Sequence, residues 1–239
     1  MQNNPPFTYS NYSTLRQCGR KFKYRCIDKL PTPRAVALEF GSALHAGLAD
    51  ALTTQDPDSA IDVFQAYWEG AKSLDFSEER FKWNEMSNNG VKFVANFLKR
   101  YGSKMELIVG EKRMYGVTGE GTPDALVAWN GANVLLDYKS SAYNYHPLKS
   151  DISLQLNLYA LLLEENGYKV DSLCYFVFNK GTGSIQTPLL IPFDRKKALE
   201  MRDEAILYWK REQGHFERNS NACIIGKQVC AFAGKCWGK

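Results

Sequence analysis

Residues 121–139 read GTPDALVAWNGANVLLDYK, two apolar runs joined by an Asn-Gly pair. Asn-Gly between two such runs is the strongest short signal of a two-residue β-hairpin turn, because both residues tolerate the positive φ that this turn needs. We therefore predict adjacent antiparallel strands at 125–129 and 134–138. In that arrangement Asp124 begins one strand and Asp137 ends its partner, so the two carboxylates meet at one end of the sheet.

The same hairpin predicts a metal site. Side chains alternate along a strand, so Asp137 and Lys139 project to one face. Two converging carboxylates repel each other unless a cation lies between them, and hard oxygen ligands favour Mg²⁺ or Mn²⁺. Such a metal can polarise a phosphodiester and lower the pKa of a bound water, and the Lys139 ammonium could position that water. Each residue alone is more often a turn or surface residue, so the indication comes from their combination.

The rest of the chain predicts an α/β core behind a helical N-terminal region. We find no repeat or linker that would divide it, and therefore predict one domain over 1–239. Its parts are a helical N-terminal region at 1–104, a core at 105–215 and a cysteine-rich tail at 216–239. Apolar spacing and turn residues predict helices at 13–27, 40–52, 59–74, 78–101, 151–166 and 194–213, and two further strands at 172–179 and 184–191. The segments 105–117, 122–129 and 133–137 contain short β-branched and aliphatic runs, and the last two include the hairpin strands.

Charge and hydropathy limit the classes of function. The formal net charge is +4, from 30 basic and 26 acidic side chains, which allows local phosphate binding without a polybasic surface. The N-terminus lacks the basic start and apolar run of a signal peptide, and no segment approaches the roughly 18 apolar residues of a membrane span. We expect a cytoplasmic protein with reduced thiols. Cys26 and Cys174 lie among apolar neighbours and are predicted to be buried.

The hairpin residues resemble the motif of a known nuclease superfamily. Pro123-Asp124 followed by Asp137-Tyr138-Lys139 looks like the PD-(D/E)XK signature, which is short and weak when it stands alone. Three further segments resemble the RecB-like branch of that superfamily and occur in the branch's order across nearly the whole chain. They are a cysteine before a basic, aromatic segment at 18–24, a Gly-x-x-x-His helix segment at 41–45 and Gln-x-x-x-Tyr at 155–159.

The resemblance implies a restriction-endonuclease-like α/β core, with a central mixed sheet flanked by helices, and a divalent metal. His45 is then a metal ligand alongside Asp124, Asp137 and the backbone carbonyl of Tyr138. A lone histidine in a helix is otherwise more often a structural residue, and its place in the motif reverses that interpretation. An imidazole nitrogen among oxygen ligands favours Mn²⁺ somewhat over Mg²⁺.

Catalytic roles follow from the same resemblance. It assigns them to Asp124, Asp137 and Lys139, and places Gln155 and Tyr159 beside the metal. Gln155 and Tyr159 are four residues apart and share a helix face, where a polar edge on an amphipathic helix is an equally good interpretation. A further acidic residue, Glu111, precedes the hairpin where the branch often carries one.

The implied activity is hydrolysis of DNA phosphodiester bonds by a metal-dependent nuclease, as an exonuclease or in processing DNA ends. The alternative is a non-catalytic DNA-binding or assembly subunit that keeps the fold, although such a subunit has no need of the acidic pair and the lysine together. The substrate is expected to be single-stranded or to have free ends. No ATP-binding Gly-rich loop is found, so unwinding would need a helicase or recombination partner. Small members of this branch are often virus-encoded, which would place the protein in the host cytoplasm.

Basic and aromatic residues interleave in the N-terminal segment. Basic side chains can hold phosphates and aromatic rings can stack on bases, a combination suited to single strands. A solvated basic helix face with aromatic core residues is equally compatible with the pattern. The predicted DNA contacts are Arg16, Arg20, Lys21 and Tyr24.

Four cysteines indicate a second metal centre. Cys223, Cys230 and Cys236 are separated by six and five residues in the tail, and Cys18 is the natural fourth ligand, with Cys26 as an alternative to it. Four thiolates suit a [4Fe–4S] cluster or a structural Zn²⁺. The layout resembles the iron–sulfur exonucleases of the branch, the AddB-type and CRISPR-adaptation nucleases. Their commoner tail has two residues in the first gap, so zinc or no metal also stays open.

Overall fold

The protein is described by a computed structural model that covers residues 5–77, 79–146, 148–180, 182–225 and 228–238. Over these residues a mixed β-sheet is flanked by helices, which confirms the predicted α/β class. The helices are α1 Tyr9–Gln17, α2 Gly19–Phe22, α3 Val36–Thr54, α4 Pro57–Glu69, α5 Trp83–Arg100, α6 Leu148–Asp151, α7 Leu154–Glu165, α8 Arg195–Glu212 and α9 Ala233–Trp237. The strands are β1 Glu106–Val109, β2 Met114–Gly116, β3 Gly119–Gly121, β4 Ala125–Trp129, β5 Ala132–Ser141, β6 Ser172–Asn179, β7 Ser184–Ile185, β8 Ile191–Pro192, β9 Ile224–Ile225 and β10 Gln228–Val229.

The predicted hairpin is present. Strands β4 and β5 are antiparallel, and the turn residues Asn130 and Gly131 both have positive φ, +52° and +78°. One detail of the prediction was wrong: β5 does not end at Asp137 but continues to Ser141, because its second half pairs in parallel with β6. Asp137 therefore lies within a central strand and is buried.

The main sheet of the described residues has the strand order β1-β4-β5-β6-β7, with β8 also paired to β6. Its two faces are covered by different helices. The face with Val134, Leu136 and Tyr138 packs against α3, α4 and α5, whereas the face with Leu135 packs against α7. Because side chains alternate along β5, Asp137 is on the α7 face. No helix in the described part of the chain is long and apolar enough to cross a membrane.

The first helix is interrupted where the prediction had it continuous over 13–27. It breaks at Cys18, whose backbone is extended, and resumes as α2 and a π-helical turn at Lys23–Ile27. The cause is the C-terminal tail, which passes so close that a Cβ on Gly19 would lie 2.5 Å from the His215 carbonyl oxygen. The Arg20 amide donates a hydrogen bond to the Glu217 carbonyl, so the break joins the two ends of the chain.

Other strands and helices have boundaries that differ from those expected from the sequence. The segment 105–117 forms two strands, β1 and β2, and β2 pairs with β3 outside the main sheet. The predicted strand at 184–191 is divided into β7 and β8, consistent with Pro188 between them, which has no amide to donate. The predicted helix at 78–101 begins at Trp83, and Glu78 lies outside the described residues.

Candidate active site and metal centre

His45 lies on α3, whose neighbouring residues Ala43, Leu44 and Leu48 are buried in the core. That packing directs the imidazole toward the β4–β5 hairpin. Its Nε2 lies 3.0 Å from the Tyr138 carbonyl oxygen, and its Nδ1 lies 3.4 Å from an oxygen of Asp124. The ring therefore bridges the two strands that carry the acidic pair.

Asp124 connects the hairpin to the histidine. One carboxylate oxygen accepts a hydrogen bond of 2.7 Å from the Tyr138 amide, and the other faces His45. The register pairs Ala125 with Leu136, so Asp124 stands across the hairpin from Asp137, as the sequence predicts. The two carboxylates thus converge although one is at a strand end and the other inside a strand.

Asp137 is fully buried, and neither of its carboxylate oxygens has a hydrogen-bond partner. Its compensation is an ion pair with Lys139, two residues along the same strand face. The Lys139 ammonium also lies 5.5 Å from the centroid of the Tyr175 ring, which helps to hold it in place. A buried carboxylate with one cationic neighbour and no hydrogen bonds is under-compensated, and a bound cation would supply what is missing.

The pKa values of the site follow from this crowding of charge. Burial and the neighbouring Asp124 raise the pKa of Asp137 to about 7, against the opposing effect of Lys139. Burial would lower the pKa of His45, but its contacts with Asp124 and Glu111 raise it to about 10. Burial would also lower the pKa of Lys139, and the charge of Asp137 reverses the direction. The raised pKa values of His45 and Asp137 mean that bound protons offset the negative charge of the site, which a metal cation would also offset.

A third carboxylate belongs to this group. Glu111 follows β1, and its oxygen lies 3.7 Å from His45 Nδ1. In the described part of the chain, His45, Glu111 and Asp124 each offer a ligand atom within 4.8 Å of the others. Asp137 is outside this group of three and pairs with Lys139. The sequence places Glu111 near the site only through its position before the hairpin, and the signal becomes clear once β1 is seen to pair with β4.

Gln155 and Tyr159 lie on α7, on the face of the sheet toward which Asp137 points. Burial raises the pKa of the Tyr159 phenol, a hydrogen bond with Gln155 opposes this, and the negative charges of Asp137 and Asp124 add to it. Gly121 gives the ring room, because a Cβ there would lie 2.6 Å from Tyr159 Cε1. Tyr159 is therefore within electrostatic range of the acidic pair, with Gln155 as its hydrogen-bond partner, on the side of the sheet where the resemblance expects them.

The four predicted cysteine ligands are brought together. Cys18, Cys223, Cys230 and Cys236 line one small cavity, which Cys26 does not line. Amide and indole N–H groups point at two of the sulfurs: Asn219 N lies 3.4 Å from Cys18 Sγ, and Trp237 Nε1 lies 3.4 Å from Cys223 Sγ. Of the other two cysteines, Cys174 is buried as predicted, whereas Cys26 is only half-buried.

The predicted DNA contacts of the N-terminal segment have structural partners. The Arg16 guanidinium lies 4.6 Å from the centre of the Tyr208 ring, Arg20 donates to the Phe216 carbonyl, and Lys21 donates to the side chain of Gln17. Tyr24 is only 8% exposed and packs edge-on against Phe232. A ring so buried has little surface on which a base could stack, so Tyr24 is a packing residue beside the cysteines.

Comparison with known proteins identifies the family. The sequence profile of the PD-(D/E)XK nuclease superfamily matches residues 6–236. A crystal structure from Eubacterium rectale, named "Putative exonuclease", resembles the fold with a TM-score of 0.58 at 14% identity, over 93% of this chain and 90% of that one. None of the curated proteins compared with the chain matches it significantly. Because the profile extends over nearly all of the sequence, the chain belongs to the PD-(D/E)XK nuclease superfamily.

Proposed function

We propose that the chain is a divalent-metal-dependent deoxyribonuclease that acts as an exonuclease or on DNA ends. The observation that carries this proposal is the carboxylate of Asp137, fully buried beside a second acidic residue, Asp124, and compensated by an ion pair with Lys139. Folded proteins rarely retain such a group unless it has a functional partner. Membership of a nuclease superfamily supports a phosphodiester as the substrate.

The donors that would hold the metal are the side chains of His45, Asp124 and Asp137 and the carbonyl of Tyr138. Glu111 is close enough to contribute directly or through a water. A set of oxygen donors with one imidazole suits Mg²⁺ or Mn²⁺, the latter somewhat better. When bound, the ion would polarise the phosphodiester and lower the pKa of a water molecule.

Lys139 is placed to assist the reaction. Its ammonium is held between the Asp137 carboxylate and the Tyr175 ring, so its position is defined before substrate binds. From there it can orient the attacking water or stabilise the charge that develops on the phosphate oxygens. Gln155 and Tyr159, on α7, present an amide and a phenol that can hold the DNA strand beside the acidic pair.

Metal binding is expected to release protons. With pKa values of about 10 for His45 and about 7 for Asp137, the metal-free site at neutral pH carries a proton on the imidazole and a fraction of one on the carboxyl. A metal displaces both, so affinity should rise with pH, about tenfold per unit for each proton released. Calorimetric titration with Mn²⁺ in buffers of different ionisation enthalpy measures this release. A heat independent of the buffer would contradict the assignment of His45 and Asp137.

Dependence on free ends tests the proposed activity. The purified protein is incubated with Mn²⁺ or Mg²⁺ and with end-labelled linear DNA, single- or double-stranded, beside covalently closed circles. Loss of linear DNA with survival of the circles is expected for an exonuclease or end-processing enzyme. Cleavage of the closed circles would show that the protein is an endonuclease instead. Binding without cleavage in either metal would favour the non-catalytic DNA-binding subunit.

A [4Fe–4S] cluster on Cys18, Cys223, Cys230 and Cys236 is the second part of the proposal. All four cysteines line one cavity, as ligands of a single centre must. A structural Zn²⁺ is the alternative occupant. The resemblance of the cysteine layout to the iron–sulfur exonucleases favours the cluster. Its role would be structural, joining the N-terminal segment to the tail.

A further inference from the structure

A cleft of about 650 Å³ opens on the His45 side of the candidate metal centre. It lies between α3, α4 and the C-terminal ends of β5 and β6, and we call it the α3–β6 cleft. His45, Glu111 and Lys139 line it, so it is continuous with the site proposed for cleavage. Its lining also includes Leu38, Tyr67 and Lys180, which have no role in the proposed cleavage reaction.

Lys180 brings a positive charge into the α3–β6 cleft. The residue is half-buried, its ammonium lies 5.8 Å from the centre of the Phe40 ring, and among the described residues no carboxylate is within ion-pair distance. Burial lowers the pKa of Lys180, and the charge of Glu79 opposes that shift only in part. A partly desolvated cation in this state gains from any anion that enters the cleft, and phosphate is the anion that a nuclease site receives.

Tyr67 and Leu38 give the same cleft an exposed apolar rim. Their side chains are 62% and 66% exposed, on α4 and on the first turn of α3. An aromatic ring and a basic side chain lining one groove are a combination that can hold single-stranded nucleic acid, the ring by stacking on a base and the cation by contacting a phosphate. In a duplex the bases are already stacked on their neighbours, so a ring can stack only on a base that has left the helix.

We propose that the α3–β6 cleft binds single-stranded DNA next to the scissile phosphate, with Lys180 contacting a phosphate and Tyr67 stacking on a base. The proposal rests on the proposed nuclease function and deepens it, because it specifies the form of DNA that reaches the metal. A duplex would have to be frayed or unwound at its end before its strand entered the cleft.

Binding of a short fluorescein-labelled oligothymidylate tests the proposal. Fluorescence anisotropy is followed over a salt series in an Asp137→Asn background, which is chosen to leave the probe uncut. Lys180→Gln should weaken binding. It should also make the negative slope of log affinity against log salt shallower by about 0.7, the value for one phosphate of a single strand. Lys180→Arg, which keeps the charge, should restore the slope. Lys92→Gln on the exposed face of α5 is the matched control and should match the background protein.

Tyr67 is tested by the same measurement. Tyr67→Ala should weaken single-strand binding by about five- to 150-fold with an unchanged salt slope, while Tyr67→Phe retains most of the affinity. Neither variant should change binding of a blunt duplex to the same extent. A salt slope for Lys180→Gln equal to that of Lys92→Gln, or equal losses on duplex and single strand for Tyr67→Ala, would overturn the proposal. Failure of the nuclease function itself would show separately, as absence of cleavage by the unmutated protein with Mn²⁺.

Discussion

Replacement of Asp137 by asparagine is expected to reduce DNA cleavage by about 10³-fold or more, which is ~4 kcal/mol of transition-state stabilisation. The reason is that the neutral amide cannot replace the carboxylate charge that a divalent metal would require. The measurement is initial cleavage rate with saturating Mn²⁺ on end-labelled DNA. If the substitution misplaces the bound metal, the loss of activity should persist at every metal concentration tested. If it only weakens metal affinity, excess metal should restore part of the activity.

The same variant should not be less stable than the unmutated protein when metal is chelated. Burial and the charge of Asp124 raise the pKa of Asp137 to about 7 despite its ion pair with Lys139, so folding favours the protonated form. The unfolded carboxyl has a pKa of about 4, and the folded one a pKa of about 7. Between these pH values the folded state binds more protons than the unfolded state, so the stability of the unmutated protein falls as pH rises. Asp137→Asn removes that penalty. Its melting temperature relative to the unmutated protein, measured in EDTA, should therefore increase from about pH 5 to about pH 8.

A matched control separates function from folding. Asp171 is also paired with a lysine two residues away, Lys169, and accepts a hydrogen bond from the Asn133 amide. Asp171→Asn should keep full cleavage activity and lose a little stability, the opposite of Asp137→Asn. Equal cleavage by the two variants, or unfolding of Asp137→Asn alone, would show that Asp137 is a structural residue.

Replacement of Cys230 by serine is expected to remove the second metal centre and destabilise the protein. A ligand present at about 1,000 times its dissociation constant stabilises the folded state by ~4 kcal/mol. Because melting temperature changes by roughly 2–4 °C per kcal/mol in a chain of this size, we expect a decrease of about 8–16 °C. The anaerobically purified protein should be brown with a broad visible absorbance, and the variant should be colourless.

Cys26→Ser is the control for this experiment. Cys26 is half-buried beside the Asn11 side chain and does not line the cavity of the other four cysteines. Its replacement should leave the colour and the iron content unchanged. If the unmutated protein is colourless and contains zinc, the centre is a structural Zn²⁺ site and not an iron–sulfur cluster. A protein that contains neither metal, and whose melting temperature Cys230→Ser does not change, would contradict a metal centre in the tail.

The hairpin and its acidic pair could be predicted from the sequence because local chemistry alone determines them. Asn130-Gly131 imposes the turn, and the turn imposes the register that places Asp124 across from Asp137. The helix ends were similarly local: Asp194 caps α8, and Gly167 follows α7 with a φ of +86°. In both cases a residue and its immediate neighbours determine the geometry.

The features that sequence reasoning missed depend on contacts between distant segments. The break at Cys18 exists because residues near Glu217 pair with the N-terminal segment, and no local pattern contains that information. The extension of β5 beyond Asp137 depends on parallel pairing with β6. Glu111 joins His45 only because β1 lies next to β4. Lys180 and Tyr67 are far apart in the chain and share a cleft only in the folded protein.

Anomalous scattering from crystals grown with Mn²⁺ would examine the proposed metal centre most directly. We expect a strong peak bounded by the His45 imidazole, the Asp124 and Asp137 carboxylates and the Tyr138 carbonyl, and no such peak in crystals of Asp137→Asn. A map without manganese density at this place, or with the ion bound only elsewhere on the chain, would contradict the proposal that these groups form a nuclease active site.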